Sequence, residues 1–305
     1  MYQISIHPGN LFDRVGIDAG FEALAKAGIE AIQFGLGRGF LTPTQIKENL
    51  PALMDSDLDT VLEAVRPYKE AAKKYGVAIS QVHAPFPIWI KDNDFANDRM
   101  PDALKKSIAI TAYLDCPHCV IHPAWASPNA ARTMPNEEWE LNKKLYSDLI
   151  PTLKQYNVIA LLENMFTRGE GGVVYAAACG DYFEAARYVD DLNALAGETR
   201  FGFCLDTGHC LLVRQNLNRA VEILGHRLLA LHMQDISGYG DDHRAPFTGI
   251  TNWETFLDQL KAVGYQGDLN FEAHNAVIPY PTEMLPEALA ILGATGRYFK
   301  KRLSE

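Results

Sequence analysis

One pattern constrains this chain more than any other. Eight times, a short and mostly apolar run is followed by a polar tip and then by apolar residues at helical spacing. The runs are Tyr2–His7, Ala31–Phe34, Val77–His83, His118–His122, Val158–Glu163, Phe201–Asp206, Leu228–His232 and Asp268–Glu272. Short runs of this kind read as strands covered on both faces, as in a parallel sheet. Helix signals fill the gaps. Thr42 and Gln45 are spaced as a capping box with Pro43 at the first helical position, and Thr251 with Glu254 as another. Behind Thr251, the residues Trp253, Phe256, Leu257, Leu260 and Val263 recur at helical spacing, and Gly264 supplies a stop. Leu104, Ile108, Thr111 and Ala112 make a similar face after Pro101; Asp181–Leu195 and Pro281–Tyr298 read the same way.

Eight strands alternating with helices predict an α/β fold, and 305 residues suit a single (β/α)8 TIM barrel spanning 1–305 as one domain. The competing fold is an open doubly wound sheet, which carries a glycine-rich first turn. Here the first run ends in His7-Pro8-Gly9-Asn10. The stretch Gly35-Leu36-Gly37-Arg38-Gly39 after the second run lacks the required spacing.

The runs end, in order, at His7, Phe34, His83, His122, Glu163, Asp206, His232 and Glu272. Seven of these eight ends are ionisable in a chain with only nine histidines, and a barrel gathers all such ends at one mouth. Each alone has an ordinary explanation: a hydrogen-bonded structural imidazole, or the first solvated residue of a departing strand. The same explanation would have to hold together at His83, His122, Glu163, Asp206, His232 and Glu272, and burying that many charges without partners is prohibitive. A divalent cation removes the difficulty. Two Glu, one Asp and one imidazole form an oxygen-rich set that suits Mn²⁺, Co²⁺ or Mg²⁺, with Zn²⁺ as a further choice. The sequence has no HExxH helix of the zinc-protease kind.

In this order, several motifs resemble the superfamily of xylose-isomerase-like barrels. They are Val82-His83-Ala84-Pro85-Phe86, Ile121-His122-Pro123, Leu162-Glu163-Asn164-Met165, Cys204-Leu205-Asp206-Thr207-Gly208-His209, Leu231-His232-Met233-Gln234-Asp235 and Phe271-Glu272. That superfamily includes ketose 3-epimerases, hydroxypyruvate isomerases, inosose dehydratases and apurinic-site endonucleases. The resemblance to the epimerases implies that Glu163, Asp206, His232 and Glu272 bind one metal, Mn²⁺ first, and that Glu163 and Glu272 transfer the proton. It places His209 against substrate or beside the ligands. The endonuclease branch uses three zinc ions, and His83, His122, His209, Asp241 and His243 occupy positions like its additional ligands. The surroundings differ: that branch has a lysine after the aspartate corresponding to Asp235, where this chain has Ile236-Ser237. Asp241 to Gly249 instead resembles the loop of sugar-acting members.

A carbon beside a ketone loses its proton when a divalent ion stabilises the enediolate and paired carboxylates act as acid and base. The expected function is therefore a metal-dependent isomerase or epimerase of a ketose or keto-sugar. His83, His122, His209, His243 and Arg244 are candidate hydroxyl partners. Trp89, Trp125 and Phe86 follow the third and fourth runs and are candidates to pack on the sugar, with loop packing as the alternative. His7 is a further possible substrate contact, while His118 and His226 precede strands and receive no role. Three alternatives stay open: a lyase or deglycosidase subunit acting on 3-keto glycosides, including C-glycosides, by the same proton abstraction; a zinc-dependent apurinic-site endonuclease; and a sugar sensor without catalysis. Phosphorylation of the substrate is not legible, because no phosphate loop of known type is present.

Charge bears on partners. Asp and Glu number 38 against 28 Lys and Arg, a formal net charge of −10, which disfavours broad binding to nucleic acid or anionic membranes. No apolar stretch reaches the ~18 residues of a membrane span, and the N-terminal residues have no signal-peptide core. Five cysteines make a disulfide framework unexpected, so a reduced, cytoplasmic compartment is anticipated. Cys116-Pro117-His118-Cys119 matches a thiol-oxidoreductase pattern. It sits where a helix should end and a strand begin, the reverse of what that chemistry needs. Cys204 reads as core. The Arg168–Gly172 loop could serve as a lid or be plain surface. A homo-oligomer is expected by analogy, or a partner subunit in the deglycosidase case.

Overall fold

The computed structural model describes residues 2–127 and 129–305. All eight expected strands form: β1 Ile4–Ile6, β2 Ala31–Gly35, β3 Ala78–His83, β4 His118–Val120, β5 Ile159–Glu163, β8 Phe201–Asp206, β9 Leu228–His232 and β10 Leu269–Phe271. Two more, β6 Phe166–Arg168 and β7 Val174–Ala176, form an antiparallel hairpin whose turn is the glycine loop anticipated as lid or surface. The other eight make one sheet in the order β10-β1-β2-β3-β4-β5-β8-β9. Met233 N–H donates to the Asn270 carbonyl at 2.8 Å just beyond β9, so β9 also adjoins β10 and the order is circular. That is the topology of a (β/α)8 TIM barrel. Several strands are shorter than expected, among them β1, β4 and β10. Among the described residues, no helix is long and apolar enough to cross a membrane.

The chain divides into two compact units. The first comprises Met1–Gln33, Arg66–Ser80 and Leu205–Glu305. In it β1 pairs with β10 (Ser5 with Asn270) and with β2 (Ile6 with Ile32). Its core is aromatic: Trp253, Phe256, Phe271 and Phe299 stack edge-on or tilted at centroid distances of 5.5–5.9 Å. Beneath the strand ends, polar side chains form a buried relay. Ser5 Oγ contacts Ser80 Oγ at 2.9 Å and donates to Asn270 Oδ1 at 2.9 Å; Asn270 Nδ2 donates to Gln33 Oε1 at 2.7 Å; Gln33 Nε2 donates to Glu272 Oε1 at 2.9 Å.

The second unit comprises Phe34–Val65 and Gln81–Cys204. Here β4 pairs with β3 and β5, and β5 with β8, with Glu163 opposite Cys204. The Thr42 capping box forms as expected, with Gln45 N–H donating to Thr42 Oγ1. The helix expected after Pro101 instead spans Asp94–Tyr113, capped by Asn93, with Pro101 inside it. The last helix likewise runs Leu285–Ser304 rather than Pro281–Tyr298.

The second capping box is corrected. Asn252, not Thr251, caps the helix Trp253–Ala262. Thr251 is held by buried Asp235, which accepts from Thr251 N–H and Oγ, Ile236 N–H, Gly249 N–H and Trp253 Nε1 at 2.7–3.1 Å. Gly249 is needed there, since a Cβ would lie 2.4 Å from Asp235 Oδ1. Asp235→Ala strands several buried donors and should cost about 3 kcal/mol or more, read as a lower urea midpoint; an unchanged midpoint would refute this role.

All five cysteines are free and buried. Cys119 lies in β4, where burial pushes its thiol up to about 12, the opposite of a redox cysteine. His118 opens β4, and burial pulls its pKa down to about 4. Its folded value is below the unfolded ~6.5, so the neutral ring's stability contribution is full above ~6.5 and lost as pH falls toward 4. The loss is of order 1–3 kcal/mol, discounted because the ring keeps some exposure. Urea titrations at pH 7 and pH 4.5 should show a drop that His118→Gln reduces.

Candidate active site

Each unit presents a cluster of ionisable side chains at its strand ends. In the second unit, His83 and Glu163 are the last residues of β3 and β5, and His122 lies two residues past β4. All three are buried. The Ala84 carbonyl accepts from His83 Nδ1–H at 2.9 Å, which leaves His83 Nε2 as an acceptor when the ring is neutral. His122 Nε2 lies 3.0 Å from that atom and 3.1 Å from Glu163 Oε2. His83, His122 and Glu163 offer ligand atoms all within 4.8 Å of one another.

The first unit brings together Asp206, His232 and Glu272, again with ligand atoms within 4.8 Å. Asp206 and His232 are fully buried and Glu272 nearly so. Asp206 ends β8 and caps the helix Thr207–Leu212 by accepting from His209 N–H at 2.7 Å. The cap aims the carboxylate and places His209 one helical turn away. His232 ends β9, and its Nδ1 lies 3.4 Å from Glu272 Oε2. Glu272 follows β10, its other oxygen held by Gln33.

Gln234, which carried no role in the sequence reading, ties this cluster together. Its Nε2 donates to both Asp206 oxygens at 3.0–3.2 Å and to Asp241 Oδ1 at 2.8 Å, while its Oε1 accepts from His243 N–H at 2.8 Å. Gly208 makes room, since a Cβ would lie 2.5 Å from the Gln234 side chain. Asp241 in turn contacts His243 Nε2 at 3.1 Å and His209 Nε2 at 3.5 Å. Burial raises the Asp241 pKa, but its bonds to His209 and His243 outweigh this and hold it well below the usual carboxylate range. Burial lowers His243, yet the Asp241 bond and the charges of Glu272, Asp241 and Asp206 lift it to about 9. His243 Nδ1–H donates to the Glu272 carbonyl at 2.8 Å.

His274, which no sequence motif marks, also borders this cluster. Its ring stacks on His243 at 4.1 Å and approaches His7 at 5.2 Å, and burial, then the His243 charge, pulls its pKa down to about 4. His7 Nδ1 accepts from Gly9 N–H. Arg244 pairs with Asp235 through its backbone, and its side chain is exposed.

Trp89 and Trp125 of the second unit stand beside residues clamped by asparagines. Asn97 Oδ1 accepts from Ile90 N–H and Asn97 Nδ2 donates to the Ile90 carbonyl, both at 2.8 Å, next to Trp89. Asn142 does the same to Ala124, at 2.8 and 2.7 Å, next to Trp125. Ala126 N–H is fixed on the far side by Glu138, itself paired with Arg132. Both tryptophans remain part-exposed, and Phe86 stacks 4.6 Å from His122.

A family model described as a xylose isomerase-like TIM barrel matches residues 21–294. A curated relative, the uncharacterized protein y4fM of Sinorhizobium fredii, is 26% identical over 186 residues, which is 60% of this chain and 56% of that protein; the match thus spans little more than half the relative's length. Among solved structures, a D-tagatose 3-epimerase-like protein superposes with a TM-score of 0.65 at 23% identity, covering 96% of this chain and 99% of that one. An AP endonuclease of family 2 from Brucella melitensis gives 0.66 at 16%, covering 96% and 99%. At these identities both likenesses speak for the fold.

Proposed function

We propose, on the premise that the chain belongs to the xylose isomerase-like TIM-barrel family, that it is a divalent-metal-dependent isomerase or epimerase of a ketose or keto-sugar. The reading is carried by one observation: the carboxylates and imidazoles at the ends of β5, β8 and β9 and just past β10 are buried side chains of ligand type. In this reading Glu163, Asp206, His232 and Glu272 hold one cation, Mn²⁺ first, with Co²⁺, Mg²⁺ or Zn²⁺ as the other choices. The donor set fits, because two buried carboxylates and an imidazole within 4.8 Å in the first unit need positive charge between them. Register supports adding Glu163: it pairs with Cys204, and Asp206 lies two residues on, facing the same side of its strand.

A bound ion would supply positive charge where the substrate's oxygens become negative. The chain's own residues then move the proton. Glu163 or Glu272 takes it from the carbon beside the carbonyl. The other returns a proton to the opposite face in an epimerase, or to the neighbouring carbon in an isomerase. Gln33 fixes one Glu272 oxygen and leaves the second for the reaction. His122 Nε2 lies 3.1 Å from Glu163 Oε2, beside the proposed proton carrier. His83, His209, His243 and Arg244 bind hydroxyls together with His122, and Trp89 and Trp125 flank the ligand. The fold likeness to a tagatose 3-epimerase-like protein agrees with this reading.

A second reading is favoured by the number of ligand-type side chains. His83 with His122, and His209 with Asp241 and His243, could serve additional ions, as a zinc-dependent apurinic-site endonuclease would require. Metal analysis separates the two. One Mn²⁺ or Co²⁺ per chain, with metal-dependent deuterium uptake into a ketose from D2O, supports the sugar enzyme. Three zinc ions and nicking at an abasic site overturn it.

A further inference from the structure

Next to His122, wholly within the second unit, runs a groove of about 290 Å³ between the segments that follow β2, β3 and β4. Nine of its twelve lining residues are apolar, among them Pro43, Phe86, Ile88, Trp89 and Trp125. A sugar's hydroxyls would find few partners along such walls. The groove is also built in advance. The asparagine clamps on Ile90 and Ala124 hold the Trp89 and Trp125 walls. Arg99 holds the Pro43 side by donating to the carbonyls of Gln45 and Leu50 at 2.9 and 3.1 Å. Backbone segments fixed in this way lose little entropy when a ligand arrives. At its inner end the groove meets His122, and through it Glu163, the proposed proton carrier. At its rim stand the exposed ammonium groups of Lys47 and Lys91.

We propose that this groove is a subsite for a flat aromatic aglycone, so that the natural substrate is an aryl glycoside in its keto form and not a free ketose. The proposal rests on the function proposed above for which end of the ligand reacts, and the groove supplies the rest. With the sugar ring at His122 and Glu163, a substituent directed outward enters the space between Trp89 and Trp125. The volume is at the small end of ligand cavities (~300 Å³ and upward), which suits part of a ligand beyond its sugar. Aromatic rings lie face-on or edge-on against the indoles, and a phenolate or carboxylate on the aglycone reaches the lysines at the rim.

Binding of unoxidised glycosides tests this without turnover. Methyl β-D-glucoside and 2-naphthyl β-D-glucoside are titrated into the metal-loaded protein and followed by ligand NMR, with tryptophan fluorescence as a second readout. The naphthyl compound is expected to bind about tenfold tighter, as partial burial of its two fused aromatic rings should give. Trp89→Ala and Trp125→Ala should each erase that preference. Both residues are part-exposed, and unchanged circular dichroism melts establish that the variants fold. Equal binding of the two glycosides to the native protein, or a preference that survives both substitutions, overturns the subsite. Deuterium uptake is scored separately, with the corresponding 3-keto glycosides as substrates. A naphthyl preference without exchange sinks the proposed chemistry and keeps the groove; exchange without the preference does the reverse.

Discussion

If Glu163 and Glu272 carry the proposed proton transfer, Glu163→Gln and Glu272→Gln should each lower kcat by about three orders of magnitude, the range expected when a positioned acid–base group is removed. Gln keeps the length and shape of Glu, and both sites are buried, so packing barely changes. The Glu272 variant can turn its amide so that the oxygen still accepts from Gln33 Nε2, which is why its melting temperature without metal should hold. The two variants should also differ in kind. If the carboxylates work on opposite faces, each single variant keeps deuterium uptake with one epimer as substrate and loses it with the other. Full turnover in both variants removes Glu163 and Glu272 from the reaction. Loss of uptake with both epimers in one variant alone points to a single base.

On the proposed function, stripping and restoring a divalent metal should have the second large effect. An ion that binds only the folded chain stabilises it by about 4 kcal/mol at a thousandfold excess over its dissociation constant. In a chain of this size that is a rise in Tm of roughly 8 °C. Scanning calorimetry of the chelator-treated protein, with and without Mn²⁺, reads this independently of activity. Asp206→Asn and His232→Ala should cancel most of the rise. Metal that leaves Tm unmoved in the native protein, with no heat on titration, would dismiss the shared cation altogether.

The strands and the ionisable residues at their ends could be read from the sequence because both signals are local. A short apolar run that stops at His, Asp or Glu looks the same in isolation as in the fold. What supports those residues could not be read. Gln33 and Asn270 sit inside strands and look like ordinary polar interruptions; only the pairing of β1 with β10 and β2 shows that they hold Glu272. Asn97 and Asn142 look like solvated helix residues until their amides meet the Ile90 and Ala124 backbones. The Thr251–Glu254 spacing is a valid cap pattern, but a buried carboxylate sixteen residues earlier, Asp235, claims Thr251 first. The β6–β7 hairpin escaped because three-residue strands around a glycine turn carry no periodicity.

The relay from Ser80 through Ser5, Asn270 and Gln33 to Glu272 has a practical meaning for anyone reshaping this protein by random mutagenesis. Beneficial hits need not fall near the ligand. A Ser80→Ala change, four bonds upstream, frees the first link and lets the last one swing, so selections for altered stereochemical outcome should recover alleles deep in the interior.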